Sequence, residues 1–317
     1  MSGGQRPAES EIERAAVLLR AGKLVAFPTE TVYGLGANAL DASAVARIFE
    51  VKGRPATSPI IVHVSSIEMA QSVAAEWPPA AEALAQKFWP GPLTLVLKKQ
   101  AGVPMQVTAG LDTVGVRMPS HPVALALIEA AKVPVAAPSA NRFTQLSPTT
   151  AEHVRRGLGP LVDYILDGGA CQVGIESTVL SLAGALPVLL RPGGISRAQI
   201  EAVIGPMSQQ SEAGAEAHPS PGMHPRHYSP RTRLLLVRDG AVPEEGSGAY
   251  LQLHVSPRRG VRKLVKMPTG SAEYAAQLYR TLHELDLENY DWIAVDTPGD
   301  NPEWDAIRDR LSRAATS

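Results

Sequence analysis

The sequence predicts a mixed α/β protein built from two units. Short apolar runs, some rich in β-branched residues, alternate with segments whose apolar residues recur at helical spacing. Composition then shifts near Gly205: the stretch 206–222 is rich in Ser, Glu, Ala, Gly and Pro and has no periodicity, which marks a linker. After it, a strand–helix–strand–helix order predicts a small Rossmann-like layer. The length of 317 residues fits two domains of roughly 100–200 residues each.

The elements follow in order. A helix is predicted over 10–22, because Ser10 with Glu13 matches a capping box and Ile12, Ala16 and Leu19 share a face; Gly22 suits the residue past its end. The apolar run 23–27 reads as a short buried strand stopped by Pro28, and the polar run 29–36 reads as a loop. A helix over 41–52 stops at Gly53. The β-branched run 60–64 is a strand whose alternation puts Ile61, His63 and Ser65 on one face and Ile60, Val62 and Val64 on the other. Helices are predicted over 67–75 and 79–88, strands over 93–97 and 114–118, a helix over 122–132, and an apolar strand over 133–137. Strands over 164–166, 178–182 and 188–190 and a helix over 198–204 complete the first unit. Beyond the linker come strands over 233–237, 250–254 and 261–265, a helix over 271–287, a strand over 292–296 and a terminal helix from Glu303. No repeat of 20–50 residues is present.

Composition excludes several classes. Hydrophobic residues make up 44% and charged residues 19%, ample for a core and too apolar for a disordered chain. The net charge of −1 argues against a broad cationic nucleic-acid surface. The lone Cys171 rules out an internal disulfide and a multi-cysteine zinc site, and no neighbouring base activates it. No run approaches the ~18 apolar residues of a membrane span, and the first ten residues have no apolar core of a secretory signal. These features predict a cytoplasmic protein.

Standard phosphate-loop, dinucleotide, zinc-protease and nucleophile-elbow motifs are missing, and Gly34-Leu35-Gly36 alone is weak evidence of a phosphate cradle. What remains is cations and hydroxyls at strand and helix ends. Lys52-Gly53-Arg54-Pro55 closes a helix, where the two cations also suit its dipole. Arg117 and Arg191 end strands, the places that face ligand crevices in α/β sheets. Thr29, Thr31, Ser139, Asn141, Ser147, Ser177 and Thr178 sit in similar places, each open to a plain turn or cap reading. Together they suggest a pocket for a nucleoside triphosphate and a small polar co-substrate. Arg226, His227 and Tyr228 are unusual in a linker, so 221–230 is a candidate site-covering loop.

These motifs carry a resemblance. Phe27-Pro28-Thr29-Glu30-Thr31-Val32-Tyr33-Gly34-Leu35-Gly36, Lys52-Gly53-Arg54-Pro55, Pro59-Ile60-Ile61-Val62-His63-Val64 and Trp89-Pro90-Gly91-Pro92-Leu93-Thr94 resemble signatures of the YrdC-like family. So do Val116-Arg117-Met118-Pro119, Pro138-Ser139-Ala140-Asn141, Glu176-Ser177-Thr178-Val179 and Arg191-Pro192-Gly193, in family order. The linker and C-terminal region are similar to the long form of that family, the threonylcarbamoyl-AMP synthases. The resemblance implies a YrdC-like twisted mixed sheet over 1–205, a linker with an active-site-covering loop over 206–230, and a smaller Rossmann-like domain over 231–317. It implies that L-threonine, bicarbonate and ATP yield threonylcarbamoyl-AMP and pyrophosphate, with Mg²⁺ on the phosphates and no metal-ligand set on the chain. A tRNA threonylcarbamoyl transferase complex would consume the product at adenosine 37.

By the same resemblance Lys52, Arg54 and Arg117 are the catalytic cations. Arg54, Ser58, Thr113, Ser139, Asn141, Ser147, Arg191 and Tyr228 hold ATP, together with Lys52; Thr31, His63, Arg117, Ala137 and Ser177 hold threonine. The dipeptide His224-Pro225 departs from the family's usual basic or aromatic pair, and Pro225 would stiffen the loop. The alternatives are an RNA-binding or ribosome-associated module, which composition disfavours, and a carbamoyl-group transferase, which would carry extra cysteines and greater length.

Overall fold

The computed structural model describes residues 7–208 and 227–315. Strands β1 (Val25–Phe27), β2 (Gly34–Asn38), β3 (Val62–His63), β4 (Leu93–Lys98), β5 (Thr113–Arg117), β6 (Val135–Ala136), β7 (Tyr164–Ile165), β8 (Thr178–Ser181) and β9 (Val188–Arg191) form the larger sheet. It is mixed, in the order β7-β1-β2-β6-β3-β5-β4-β8-β9. Its helices are α1 (Glu9–Arg20), α2 (Ala42–Lys52), α3 (Ile67–Val73), α4 (Pro79–Phe88), α5 (Met105–Thr108), α6 (Pro122–Ala131), α7 (Ala151–Gly157) and α8 (Arg197–Ile204).

The pleat of β1 shows how the layers arise. Leu24 and Ala26 face a core shared with α2 and α4, while Val25 and Phe27 face a second core shared with α1 and α6. The sheet is therefore covered on both sides.

The C-terminal unit holds β10 (Arg233–Val237), β11 (Gly248–Gln252), β12 (Lys263–Lys266) and β13 (Trp292–Asp296), all parallel in the order β10-β13-β11-β12, with α9 (Ser271–Leu285) and α10 (Asp305–Ala315). Its core continues across the interface: Val32, Leu146, Ile175 and Tyr228 pack in one cluster with Tyr274, Leu278 and Tyr279. The His153 and His283 rings also stack across it, 3.9 Å apart.

Several expectations are corrected. The run 29–36 is not wholly loop, because Gly34 onward pairs with β1 and β6 as β2. There, Gly36 is required by packing: a Cβ would lie 2.8 Å from the Phe27 ring and 2.9 Å from Val135 Cγ1. The strand expected over 60–64 shortens to Val62–His63, although the two faces are as expected, with Ile60, Val62 and Val64 in the core. The first helix is capped at Ala8, whose N–H donates to Glu11 Oε2 at 2.8 Å; Glu13 instead pairs with Arg20. Helices α5 and α7 were not anticipated; both are short. Of the expected covering loop, 221–226 lies outside the described residues, His224-Pro225 included.

Candidate active site

The ends of β3, β5, β8 and β9 open on one cleft with about 530 Å³ of empty space, the part open to solvent included. Thr31, Arg54, His63, Arg117, Ala137, Ser139, Ser177, Arg191 and Tyr228, all singled out from sequence, line it. Topology causes this convergence: His63 and Arg117 are register partners on parallel β3 and β5, and Ser177 precedes β8 where Arg191 ends β9.

One end of the cleft is ordered around Arg117. Its Nη2 lies 2.7 Å from Glu30 Oε1, its Nη1 donates to Thr31 Oγ1 at 3.0 Å, and its Nε donates to the Gly91 carbonyl at 3.2 Å. Thr31 in turn meets Thr29 Oγ1 at 2.8 Å. His63 stands beside this guanidinium, and its buried Nδ1 has no hydrogen-bond partner among the described residues. Burial, and then the Arg117 charge, push the His63 imidazole down to about 3, so it is neutral at physiological pH.

The other end is cationic. Arg54 donates to the carbonyls of Ser58 (3.3 Å) and Pro59 (3.0 Å), and burial lowers its guanidinium to about 10. Arg191 grips the Ser177 carbonyl through Nε (3.1 Å) and Nη2 (2.9 Å), and Ser177 Oγ meets Thr94 Oγ1 at 2.8 Å. The chain at Gly193 crosses this segment so closely that a Cβ would lie 2.2 Å from the Thr178 nitrogen. Among the described residues neither Lys52 nor Arg54 has a carboxylate partner, and both charges fall on His227. Burial first, then Arg54, Lys52, Arg191 and Arg310, push the His227 ring far below its ordinary range. His227 and Tyr228 thus stand inside the cation cluster instead of covering it from outside, and Tyr228 is 1% exposed.

Five of the expected residues do not line the cleft. Lys52 sits behind its wall and donates to the carbonyls of Ser139 (2.6 Å) and Asn141. Burial, then Arg54, hold the Lys52 ammonium well below its ordinary range. Asn141 accepts from Ser139 Oγ and donates to the Gln145 carbonyl. Ser58 contributes its carbonyl to Arg54, and Ser147 donates to Glu176 Oε1 at 2.5 Å. Thr113 lines a separate small cavity with Ile60, Thr94 and Val179.

Sequence reasoning left out Glu30 and Glu176, although both stand inside motifs it quoted. It also left out Tyr279 and Arg310 of the C-terminal unit, which reach Glu176 at 3.1 and 2.7 Å. Nothing in the local sequence separates Arg310 from its neighbours Arg308 and Arg313. Among the described residues no group of three His, Cys, Asp or Glu is placed to hold a metal ion. No described helix is long and apolar enough to cross a membrane.

A family model described as "Telomere recombination" matches residues 17–193, and one described as "Threonylcarbamoyl-AMP synthase, C-terminal domain" matches 195–316. A threonylcarbamoyl-AMP synthase of Bacillus subtilis is 43% identical, covering 97% of this chain and 93% of its own. One of Pyrococcus abyssi is 52% identical over 74% of this chain and 69% of its own. The crystal structure of P. abyssi Sua5 complexed with L-threonine superposes with a TM-score of 0.90 at 40% identity, covering 98% of this chain and 96% of that one. The chain belongs to the threonylcarbamoyl-AMP synthase family of AMP-transferring enzymes, in its long two-domain form.

Proposed function

We propose that this chain joins L-threonine, bicarbonate and ATP into threonylcarbamoyl-AMP, releasing pyrophosphate. The observation that carries the reading is the single cleft with a buried Arg117–Thr31–His63 corner at one end and a buried cation cluster at the other. The threonine amine attacks bicarbonate, water leaves, and a carbamate oxygen attacks the α-phosphorus of ATP. The bond from that phosphorus to the bridging oxygen breaks, and pyrophosphate departs.

The Arg117 corner suits the amino acid. Its guanidinium receives the threonine carboxylate, and the Thr31 hydroxyl and the Ala137 backbone, with the Ser177 hydroxyl from the cationic side, surround the rest. A ring held near 3 is a poor general base, so His63 acts as a hydrogen-bond acceptor through its unpartnered Nδ1. Arg54 and Arg191 take the triphosphate, with Ser139 beside them. Lys52 supports that wall from behind through the Ser139 and Asn141 carbonyls, as Ser58 supports Arg54. Thr113 has the weakest claim to ATP, since its cavity is separate. Positioning and charge stabilisation, as cations meet the developing pyrophosphate, are the main rate terms.

A divalent ion, Mg²⁺ by the chemistry of ATP, comes as the substrate's own counter-ion. The described residues offer hydroxyls and cations there, and both Glu176 oxygens already accept from Ser147, Tyr279 and Arg310. His227 and Tyr228 stand within the cation cluster and move aside as the triphosphate enters, so these two residues act as a gate. In this reading the chain comprises a catalytic unit over 1–205, a linker with a covering loop over 206–230 and a C-terminal unit over 231–317, and the two separate sheets support that division. The buried Cys171 thiol, raised by burial, suits the reducing cytoplasm. The product is an activated anhydride, so a transferase, the tRNA threonylcarbamoyl transferase complex, consumes it.

The test is pyrophosphate release from ATP and Mg²⁺ with threonine and bicarbonate each omitted in turn. Release that requires both supports the reading; equal release without threonine overturns it.

A further inference from the structure

Helix α10 buries Ala306, Ile307, Leu311 and Ala314 on one face, and Arg310 falls on that same face. Its side chain is 0% exposed. A guanidinium so placed must be paired and fully hydrogen-bonded, since a lone buried charge is strongly destabilising. Its partners lie across the interface. Nε donates to Glu176 Oε2 at 2.7 Å, and Nη2 donates to the Pro192 carbonyl at 3.1 Å and the Glu176 carbonyl at 3.4 Å. Nη1 pairs with its own neighbour Asp309 at 2.6 Å, and the guanidinium carbon lies 5.1 Å from the centre of the Tyr228 ring.

Two further contacts from α9 fix the same segment. Tyr279 donates to Glu176 Oε2 at 3.1 Å. Gly174, with φ +78°, lies so close to the helix that a Cβ would be 2.4 Å from the Ala275 carbonyl oxygen. The C-terminal unit thus moulds the stretch that carries Glu176 and Ser177 into the cleft. Glu176 is the sensitive member: it lines the cleft, and its charge reaches Arg191. A loose carboxylate there would compete with phosphate oxygens for the same cations.

We propose that Arg310, aided by Tyr279, is a positioning residue that ties Glu176 to the C-terminal unit, keeping this carboxylate off the triphosphate cations and Ser177 in register. This rests on the synthase reading above, under which the cations receive ATP.

The test uses the full chain and two readouts, the KM for ATP in pyrophosphate release and the Kd for a non-hydrolysable ATP analogue. The second does not need turnover. Wild-type protein that binds the analogue but lacks threonine-dependent release counts against the synthase reading and leaves the Arg310 comparison intact. Arg310→Met is expected to weaken ATP by about tenfold or more. Adding Glu176→Gln to it should recover at least about threefold, since the freed side chain no longer carries a charge. Arg310→Lys keeps the charge, loses the planar fork and should fall between. A merely structural Arg310 would leave the double variant no better than the single. The proposal is overturned by a folded Arg310→Met with wild-type ATP affinity, or by no recovery in the double variant. Should Arg310→Met not fold, Arg310→Lys with and without Glu176→Gln carries the same comparison, and equal affinities refute it.

Discussion

Replacing Tyr228 by Phe separates a seated gate from an ordinary packed tyrosine. The phenol oxygen is buried without a hydrogen-bond partner among the described residues, and φ at this residue is +61°. A buried unsatisfied hydroxyl costs about 1–3 kcal/mol. A left-handed backbone at a non-glycine residue costs roughly 1–2 kcal/mol. The ring packing on Tyr279, 6.0 Å away, and under Arg310 offsets both. Tyr228→Phe keeps the ring and the backbone and removes only the orphan hydroxyl. The closed form should therefore gain at least about 1 kcal/mol. If ATP enters only the open form, as proposed, its apparent affinity should fall by about fivefold or more. The melting temperature should rise by about 2 °C. Thermal unfolding of the free protein and titration with a non-hydrolysable ATP analogue measure both. A variant that melts lower than wild type would show that the hydroxyl has a stabilising partner, and unchanged ATP affinity would show that the loop need not move. Either result rules out Tyr228 as a seated gate.

Other expectations follow from the same geometry. Arg54→Met should lower kcat/KM by about 100-fold or more, as loss of one charge-stabilising donor does, while thermal unfolding stays cooperative. Wild-type turnover in that variant would remove Arg54 from the phosphate site. Folded protein holds His63 and His153 neutral down to about pH 3, whereas the unfolded rings bind protons below about pH 6.5. Unfolding then takes up protons, so stability should be intact above pH 6.5 and decline as pH falls through that window. A melting temperature constant between pH 7 and 4 would contradict those buried neutral rings. If the metal arrives with ATP, as proposed, a chelator should stop turnover without changing the melting temperature of the free protein; a large destabilisation by chelation would reveal a resident ion.

Local patterns in the sequence carried far, for physical reasons. The strands expected over 233–237 and 292–296 and the helix over 79–88 match residue for residue, since each is an apolar or periodic run with clear ends. Strand β2 was missed because its glycines and neighbouring hydroxyls read as loop, yet Gly36 is there so that Phe27 and Val135 can close over it. Helix α7 was missed because its two arginines and glycine gave little apolar signal.

At the site, strand-end cations and hydroxyls were legible because a covered sheet leaves only its strand ends for polar chemistry. Which of them face the cleft was not legible. Lys52 and Arg54 are two residues apart, yet one stands behind the wall and the other in it. Glu176 and Arg310 are 134 residues apart, and no local pattern announces a contact of that span.

Under the proposed reaction the bond to AMP is made by a new carboxylate, placed on the threonine nitrogen, rather than by the amino acid's own. Mass spectrometry of the product formed from L-threonine, ATP, Mg²⁺ and ¹³C-bicarbonate tests it directly. The expected product is threonylcarbamoyl-AMP carrying one heavy carbon. Threonyl-AMP, or an adenylate with no label, would contradict the proposed reaction.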